Sequence, residues 1–487
     1  MSCPMSLATL LEGWCVEAPR QLVTGLTLDS RQVQAGDAFI AVAGATTHGM
    51  AFATEAQARG AAVILHDGQA PLPPLSVPVI RVPGLGSLLS SLAARFYHAP
   101  SEHLTIAGIT GTNGKTSTAH FISQAWQRAQ GDAALIGTLG YGPVGRLQDA
   151  RLTTPDALSV QRMLAECAAA GAQRVAMEVS SHALEQGRCA EVAFDAAVFT
   201  NLSRDHLDYH GSMECYAAAK RRLFTDCRPR FAVINQDDAL GKALIAELSG
   251  SAEVLSFGTN GSSELRGAVQ SMDSSGMTLA ISSPWGGGTL RSALLGRFNV
   301  SNLMAAAGTL ALLGMPWSQV MHQLEIMHPV PGRMHCMGGE RDQPVVVVDF
   351  AHTPDALEQA LIALRAHLHG RLVCVFGCGG ERDRGKRPLM AAVAERLADR
   401  VVLTNDNPRR ESLQAIFADL LAGMQHPARA QVIADRGAAI RQAIEHSQPG
   451  DIILIAGKGH ETHQESNGQR VPFSDEAAVR AVLGAAA

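Results

Sequence analysis

Residues Gly108 to Ser117 read GITGTNGKTS and follow the apolar run HLTIA. Glycines at such spacing let backbone N–H groups turn toward phosphate oxygens, and a following helix adds its positive end. Lys115 could neutralise terminal phosphates, and Thr116 could place a hydroxyl on Mg²⁺. The common G-x-x-x-x-G-K spacing would put a glycine at 109, but that residue is Ile109; the glycines are Gly108, Gly111 and Gly114. A tight strand-to-helix turn with a surface lysine is the bland alternative. Gly, Lys and two hydroxyls in this order, after a strand and before a helix, favour a nucleotide loop.

Other clusters follow strand-like runs. MEVSSHAL brings Glu178, Ser180, Ser181 and His182 to a strand end, where the carboxylate could hold Mg²⁺ or the serine could cap a helix. NLSRDHLDYHG packs Asp205, His206, Asp208 and His210 together, as metal or substrate ligands or as a solvated turn. GCGGERDRGKRP carries Glu381, Arg382, Asp383, Arg384, Lys386 and Arg387. With TNDNPRR and AGKGHET it offers cations and amides suited to a ligand bearing carboxylates. Lys220, in YAAAKRRLF, reads on local pattern as a surface lysine on the basic side of an amphipathic helix.

These groups need a scaffold. At 487 residues the chain is too long for one core, and length alone suggests roughly three domains. Residues 1–100 alternate short strands (38–44, 61–67, 77–82) with helices and end on an amphipathic helix stopped near Pro100. Residues 101–330 place buried strands (174–180, 196–202, 231–238) between helices, with an antiparallel addition at 275–283 and 288–296. Residues 331–487 repeat the alternation in PVVVVDFA, GRLVCVFGCGG, DRVVLTND and DIILIAGKG. The expected class is α/β: a smaller N-terminal α/β domain, a central P-loop-type doubly wound sheet and a C-terminal Rossmann-like domain. Ligands in such sheets sit at the carboxyl ends of the strands.

Composition narrows the partners. A net charge of -5 argues against nucleic acid or a polybasic membrane contact. Nine scattered cysteines without a CxxC pair fit free thiols in a reducing compartment. Cys374 and Cys378 lie in an apolar stretch and read as packing residues. The N-terminus lacks a signal-like pattern, and the longest apolar run, LMAAAGTLALLGM, is too short and Gly/Ala-rich to span a bilayer. A cytoplasmic monomer is expected.

Together the motifs resemble the Mur ligase family over essentially the whole chain: TGTNGKT, MEVSSHAL, TNLSRDHLDYHG, FNVSN, GRM, VDFAHTPDAL, GCGGERDRGKRP, DNPR and AGKGHE occur in the family's order. TLDSR at 27–31 resembles the family's uridine-nucleotide site, and DNPR at 406–409 its diaminopimelate-selecting motif. The resemblance implies an ATP-dependent ligase in peptidoglycan synthesis. It would join meso-diaminopimelate to the D-glutamate γ-carboxylate of UDP-N-acetylmuramoyl-L-alanyl-D-glutamate through an acyl phosphate, with Mg²⁺ as cofactor.

Residue roles come with that resemblance. Gly111, Thr112, Asn113, Gly114, Lys115, Thr116, Ser117, Asn299, Asn302, Arg333 and Asp349 match ATP contacts. Thr116, Glu178, His206 and a carbamylated Lys220 match metal positions. Lys115, Lys220, His206 and His352 would act in catalysis. Leu28, Ser30, Ala45, Thr46, Thr47, Thr153, Thr154, Ser180, Gln186 and Arg188 match UDP-muramoyl-dipeptide contacts. Arg382, Asp406, Asn407, Pro408, Arg409, Gly457 and Glu461 match diaminopimelate contacts. Ser117 replaces a frequent threonine and keeps the hydroxyl; Phe350 replaces a common tyrosine and loses one. Two rivals stay open at this stage: a folylpolyglutamate synthetase, which should lack TLDSR and DNPR, and a nucleotide-hydrolysing regulatory module.

Overall fold

The computed structural model describes residues 4–15, 19–44, 47–68, 70–150, 152–273, 275–339 and 343–484. The chain divides into two compact units, Met1–Ser256 with Gly308–Gly314, and Phe257–Ala307 with Met315–Ala487. Ala45 and Thr46 lie outside the described residues.

The first unit opens with a parallel sheet of Leu26–Thr27 (β1), Ala38–Ala41 (β2), Val63–His66 (β3) and Val79–Arg81 (β4), paired in that order. AFIA and VILH are buried at every position, as strands covered on both faces must be. Helix Leu85–Phe96 (α1) turns Leu85, Leu92, Ala93 and Phe96 into the same core.

A larger sheet follows in the same unit. Its strands are Thr105–Thr110 (β5), Ala133–Gly137 (β6), Gly140–Pro143 (β7), Arg174–Glu178 (β8), Ala196–Phe199 (β9) and Phe231–Asn235 (β10). They lie in the order β10-β9-β5-β8-β6-β7. All these pairs are parallel except the β6–β7 hairpin. Helices Lys115–Gln130 (α2), Ala157–Ala169 (α3), Ser181–Glu185 (α4), Met213–Thr225 (α5) and Ala239–Leu248 (α6) connect them. The chain leaves β5 toward one side and later returns to build the other, so β5 is the switch point where a ligand crevice forms. The loop Gly111–Gly114 sits there.

In the second unit, Leu265–Asp273 (β11), Gly276–Ser283 (β12) and Gly286–Ser292 (β13) form an antiparallel meander. The sequence pattern indicated β12 and β13 but not β11, whose residues are mostly polar or half-exposed. Helix Phe298–Leu312 (α7) comes next. A second sheet contains His335–Gly338 (β14), Val345–Asp349 (β15), Leu372–Phe376 (β16), Arg400–Thr404 (β17), Gln431–Ile433 (β18) and Ile452–Ala456 (β19), in the order β14-β15-β19-β16-β17-β18. Only β14 runs antiparallel. Alternate valines of β15 serve opposite cores. Val345 and Val347 join the cluster that includes helices Pro354–Arg365 (α8) and Lys386–Leu397 (α9). Val346 and Val348 join that of Arg436–Glu445 (α10) and Asp475–Gly484 (α11). This is the doubly wound α/β build expected from buried strands alternating with helices. Cys374 and Cys378 are buried in the first of these cores, and burial pushes the Cys378 thiol up to about 12, as packing residues rather than reactive thiols.

Candidate active site

The glycine loop owes its shape to backbone constraints. Gly111 has φ +149 and Gly114 φ +84, and a Cβ on Gly111 would lie 1.8 Å from Thr200 Oγ1. Side chains after β9 lace the loop in place. Asn201 Oδ1 accepts the Asn113 N–H at 2.9 Å, and Thr200 Oγ1 donates to the Asn113 carbonyl at 2.6 Å. Thr112 Oγ1 lies 3.1 Å from the Tyr216 hydroxyl. Lys115 Nζ donates to the carbonyls of Gly111 and Thr112, both at 2.9 Å. Ser117 follows in the first turn of α2. The loop therefore has the strand-before, helix-after context that the expected phosphate role requires.

Lys220 corrects the reading from local pattern. It is a buried residue of α5, only 1% exposed, because α5 turns Tyr216, Ala219, Lys220, Leu223 and Phe224 inward. Its Nζ donates to the Gly111 carbonyl at 2.7 Å and sits 4.4 Å above the Tyr216 ring. Burial drives the Lys220 ammonium well below the ordinary lysine value; nearby Lys115 adds repulsion, and Asp205 opposes both.

Glu178, at the end of β8, is 1% exposed. Its carboxylate accepts Thr116 Oγ1 at 2.8 Å, the Thr138 N–H at 2.7 Å and Thr138 Oγ1 at 3.2 Å. Gly137 leaves room for it, since a Cβ there would lie 2.3 Å from Glu178 Oε1. Among the described residues no group of three acidic, His or Cys side chains forms a metal cage. One carboxylate beside one hydroxyl nevertheless suits Mg²⁺, which takes few protein ligands and completes its shell with phosphates and water.

The residues expected to meet the muramoyl-dipeptide surround this carboxylate. Thr153 Oγ1 lies 3.1 Å from Thr138 Oγ1. Thr154 Oγ1 donates to the Glu178 carbonyl and accepts the Ser180 N–H, both at 2.9 Å. Ser180 caps α4, its Oγ accepting from the Ala183 N–H at 3.2 Å. Arg188 donates to Gln186 Oε1 at 3.0 Å and to the Thr154 carbonyl at 2.7 Å, while Gln186 donates to the Tyr209 hydroxyl at 2.9 Å. Leu28 is apart from this set, lining a crevice of about 1010 Å³ shared with Asp156, Ser159 and Arg162. Ser30 is buried and donates to Glu55 Oε2 at 2.7 Å; Thr47 is exposed.

His206 has φ +51 and a half-exposed side chain 3.5 Å from Asp205. Its ring sits 4.9 Å from that of His182 and 6.1 Å from that of Tyr216. His206, Tyr209 and His210 of NLSRDHLDYHG thus cluster with His182 and Tyr216 in edge-on and tilted ring contacts. The sequence motifs single out neither Tyr209 nor Tyr216 as a site residue: Tyr209 stands inside NLSRDHLDYHG, while Tyr216 lies beyond it in α5 and has no motif to mark it.

The second unit holds the remaining residues. Asn299 Nδ2 donates to the Leu295 carbonyl at 2.8 Å, and Asn302 Nδ2 to Asn299 Oδ1 at 3.0 Å, both side chains buried. The Arg333 guanidinium lies 4.9 Å over the Phe350 ring. His352 and His460 flank that ring at 4.7 and 5.5 Å. Asp349 accepts the N–H groups of Met334 at 2.7 Å and Ala351 at 2.8 Å. Burial pushes its carboxyl up against those bonds. His352 Nδ1 meets the Phe350 carbonyl at 2.9 Å, and desolvation lowers its pKa.

DNPR and AGKGHE meet at the ends of β17 and β19. Asn407 Nδ2 donates to Glu461 Oε2 at 2.8 Å. Lys458 Nζ, fully buried, donates to Asn407 Oδ1 at 3.1 Å and Glu461 Oε2 at 2.9 Å, and stands 4.0 Å from Asp406 Oδ1. Burial raises the Asp406 pKa, while Arg436 and Lys458 pull the other way. Gly457 has φ +117, and a Cβ on it would lie 2.7 Å from Asp406 Oδ2. Pro408 sits against Gly380, where an added Cβ would come 2.0 Å from the Pro408 carbonyl oxygen. Arg409 has φ +54; its Nη1 donates to the Gly380 carbonyl at 2.7 Å. Arg382 is exposed beside Gly379.

Not every cation of GCGGERDRGKRP is available to a ligand. Arg387 is buried and donates to both Glu411 oxygens at 2.7 Å and to Asp419 at 2.9 Å. That pairing holds the Glu411 carboxyl down at about 2. Arg384 donates to Asp419 at 3.0 Å, and Lys386 Nζ to the His352 carbonyl at 2.9 Å.

Fold and loop define a nucleotide-handling enzyme of multidomain α/β build. Three family models match: the Mur ligase family catalytic domain over residues 22–97, the Mur ligase middle domain over 109–310, and the Mur ligase glutamate ligase domain over 332–459. The UDP-N-acetylmuramoyl-L-alanyl-D-glutamate–2,6-diaminopimelate ligase of Pseudomonas aeruginosa is 50% identical over 483 residues, 98% of each chain. Its counterpart from Coxiella burnetii is 47% identical over 462 residues, covering 93% of this chain and 94% of that one. A solved structure of a ligase with the same name is 37% identical, with a TM-score of 0.73 over 100% of this chain and 99% of that one. A Mycobacterium tuberculosis folylpolyglutamate synthase complexed with ADP and AMPPCP shares the fold at 20% identity and a TM-score of 0.61, over 82% and 95% of the two chains. The chain belongs to the Mur ligase family. Among the described residues no helix is long and apolar enough to cross a membrane.

Proposed function

We infer that the protein is an ATP-dependent ligase that adds meso-diaminopimelate to the D-glutamate γ-carboxylate of UDP-N-acetylmuramoyl-L-alanyl-D-glutamate, in the cytoplasmic stage of peptidoglycan synthesis. The observation that carries the choice of amino acid is the largely buried Asp406–Asn407–Lys458–Glu461 network beside Arg409. Carboxylates and amides there suit an ammonium group, and a neighbouring guanidinium suits a carboxylate. An amino acid with an amine and a carboxylate at its distal end matches both.

A free carboxylate is a poor acyl donor. Attack of the γ-carboxylate oxygen on the γ-phosphorus of ATP forms an acyl phosphate and releases ADP. The amine of diaminopimelate then attacks the acyl carbon, and phosphate leaves with the loss of an amine proton. Gly111–Gly114 and Lys115 hold the phosphates and offset charge on the transferring group, mainly by positioning and electrostatics. Asn299, Asn302, Arg333 and Asp349 serve the rest of the nucleotide. Thr116 and Glu178 hold Mg²⁺, which when bound supplies charge neutralisation at the phosphates. Lys220, whose pKa burial lowers, is suited to lose its proton, add CO₂ and release a second proton to become a carbamate, a second anionic group beside the loop; the His206 ring stands 6.1 Å from that of Tyr216, over which Lys220 sits. His352, in the second unit, orients reacting groups. Leu28, Ser30, Thr47, Thr153, Thr154, Ser180, Gln186 and Arg188 take the UDP-muramoyl-dipeptide, and Arg382 joins the DNPR–AGKGHE pocket. We assign residues 1–100, 101–330 and 331–487 to UDP-sugar, ATP and amino-acid domains.

The deciding assay is amide formation with diaminopimelate against lysine. Phosphate release should need both the UDP-muramoyl-dipeptide and diaminopimelate. Turnover with ATP alone, or equal use of lysine, would sink the assignment.

A further inference from the structure

Behind the diaminopimelate pocket lies a charged residue that none of the motifs includes. Arg436, the first residue of α10, is 1% exposed. Its Nε donates to Asp475 Oδ1 at 2.7 Å and its Nη2 to Asp475 Oδ2 at 2.8 Å. Both side chains are completely buried. The guanidinium has donors left over. Nη1 reaches the Asn405 carbonyl at 3.1 Å, and Nη2 the Ala456 carbonyl at 3.0 Å.

Those two acceptors are informative. Asn405 immediately precedes DNPR, and Ala456 is the last residue of β19, immediately before Gly457. Strands β17 and β19 are not neighbours, because β16 lies between them. One fork therefore spans the end of β16 and ties together the starts of the two loops that build the pocket. Lysine, with a single nitrogen, cannot hold both carbonyls and a bidentate carboxylate at once. Asp475 opens the C-terminal helix α11, so this helix is fastened to the same point.

A buried guanidinium is costly unless every donor is used. Simple packing of α10 and α11 would be met by apolar residues. Retaining a buried pair whose spare donors point at two pocket loops fits a task that needs their relative position.

We propose that Arg436, held by Asp475, is a positioning residue for the amino-acid substrate: it sets the spacing between Asp406–Arg409 and Gly457–Glu461, and so the fit of diaminopimelate. This rests on the reading of the pocket given above.

The test is steady-state kinetics of the full chain carrying Arg436→Lys or Asp475→Asn, with each substrate varied in turn. Small misplacements of binding groups have large kinetic effects, so KM for diaminopimelate should rise about tenfold or more. KM for ATP and for the UDP-muramoyl-dipeptide should stay within about twofold, and Asp475→Glu should restore part of the loss. A uniform fall in kcat with all KM values unchanged, in a folded variant, would mean a purely structural role and overturn the proposal. If the variants do not fold, hydrogen exchange of the unaltered chain reads the same link. Diaminopimelate should then protect the amides of Arg436–Ala438 and Glu476–Ala478 along with those of Asn405–Arg409; protection confined to the loops would overturn it. Failure of the functional reading itself looks different, since the unaltered chain would form no amide with diaminopimelate.

Discussion

Lys115 and Lys220 donate to the same acceptor, the carbonyl oxygen of Gly111, at 2.9 and 2.7 Å. Two ammonium groups on one oxygen repel, and Lys220 is the more buried. Burial and the Lys115 charge lower the Lys220 pKa, favouring loss of its proton to leave an amine able to attack CO₂. Lys220→Met should lower kcat by about a hundredfold or more while the chain stays folded, as expected when a group acting only in the reaction is removed. The sign of the stability effect follows from linkage. Folding depresses the Lys220 pKa below 10.5, so between the folded value and 10.5 the unfolded chain binds more protons and stability rises with pH. At lower pH the penalty is fully present. In CO₂-free buffer Lys220→Met should raise Tm near neutral pH, with the gain shrinking as pH nears 10.5. An equal Tm difference at every pH would contradict this.

Glu178 tests the metal assignment separately. Glu178→Gln preserves the size of the side chain and one acceptor oxygen, but removes the charge and the second acceptor. Activity should fall about a hundredfold and the Mg²⁺ concentration for half-maximal activity should rise, because Mg²⁺ is held by one or two carboxylates plus phosphates. A Mg²⁺ titration of initial rate checks it. An unchanged midpoint would remove Glu178 from the metal site.

Phe350 departs from the common tyrosine, yet its ring still faces Arg333 at 4.9 Å and His352 at 4.7 Å. The ring itself, not a hydroxyl, makes these contacts: its face toward Arg333 and an edge-type contact with His352. Phe350→Tyr should therefore leave KM for ATP within about twofold and stability within about 0.5 kcal/mol. Phe350→Ala removes the cation–π contact and should raise KM for ATP, by about fivefold if roughly 1 kcal/mol is lost. Equal kinetics for the alanine variant would show that the stack does not serve the nucleotide.

The parts legible in the sequence were those written in local pattern. Gly111–Thr116 announced itself because its glycines, lysine and hydroxyl stand together between one strand and one helix. The valine run of β15 and the IILIA of β19 announced a sheet buried on both faces. Lys220 was misleading, since which face of α5 is buried depends on the loop packed against it, and its charge argued for solvent. Lys458 stood inside a quoted motif, but its role appears only when Asn407 and Glu461 are brought to it from different strand ends. Arg387 resembled a ligand cation until Glu411 and Asp419 were found paired to it. Long-range pairing leaves no period in the sequence.

Arg409 carries the proposed selection of diaminopimelate, and its backbone makes the obvious test ambiguous. With φ +54 it occupies a left-handed conformation that most residues adopt at a cost of roughly 1 kcal/mol or more. Arg409→Ala would change the side chain and could also shift the loop. Asparagine is favoured in this conformation, so Arg409→Asn keeps the backbone and removes the guanidinium. KM for diaminopimelate should rise about tenfold to a hundredfold, the range expected for losing a charge-assisted contact of roughly 1.5–3 kcal/mol. KM for ATP should be unaffected, and the preference over lysine should narrow. If Arg409→Asn still used diaminopimelate normally, selectivity would have to come from Asp406, Asn407 and Glu461 alone.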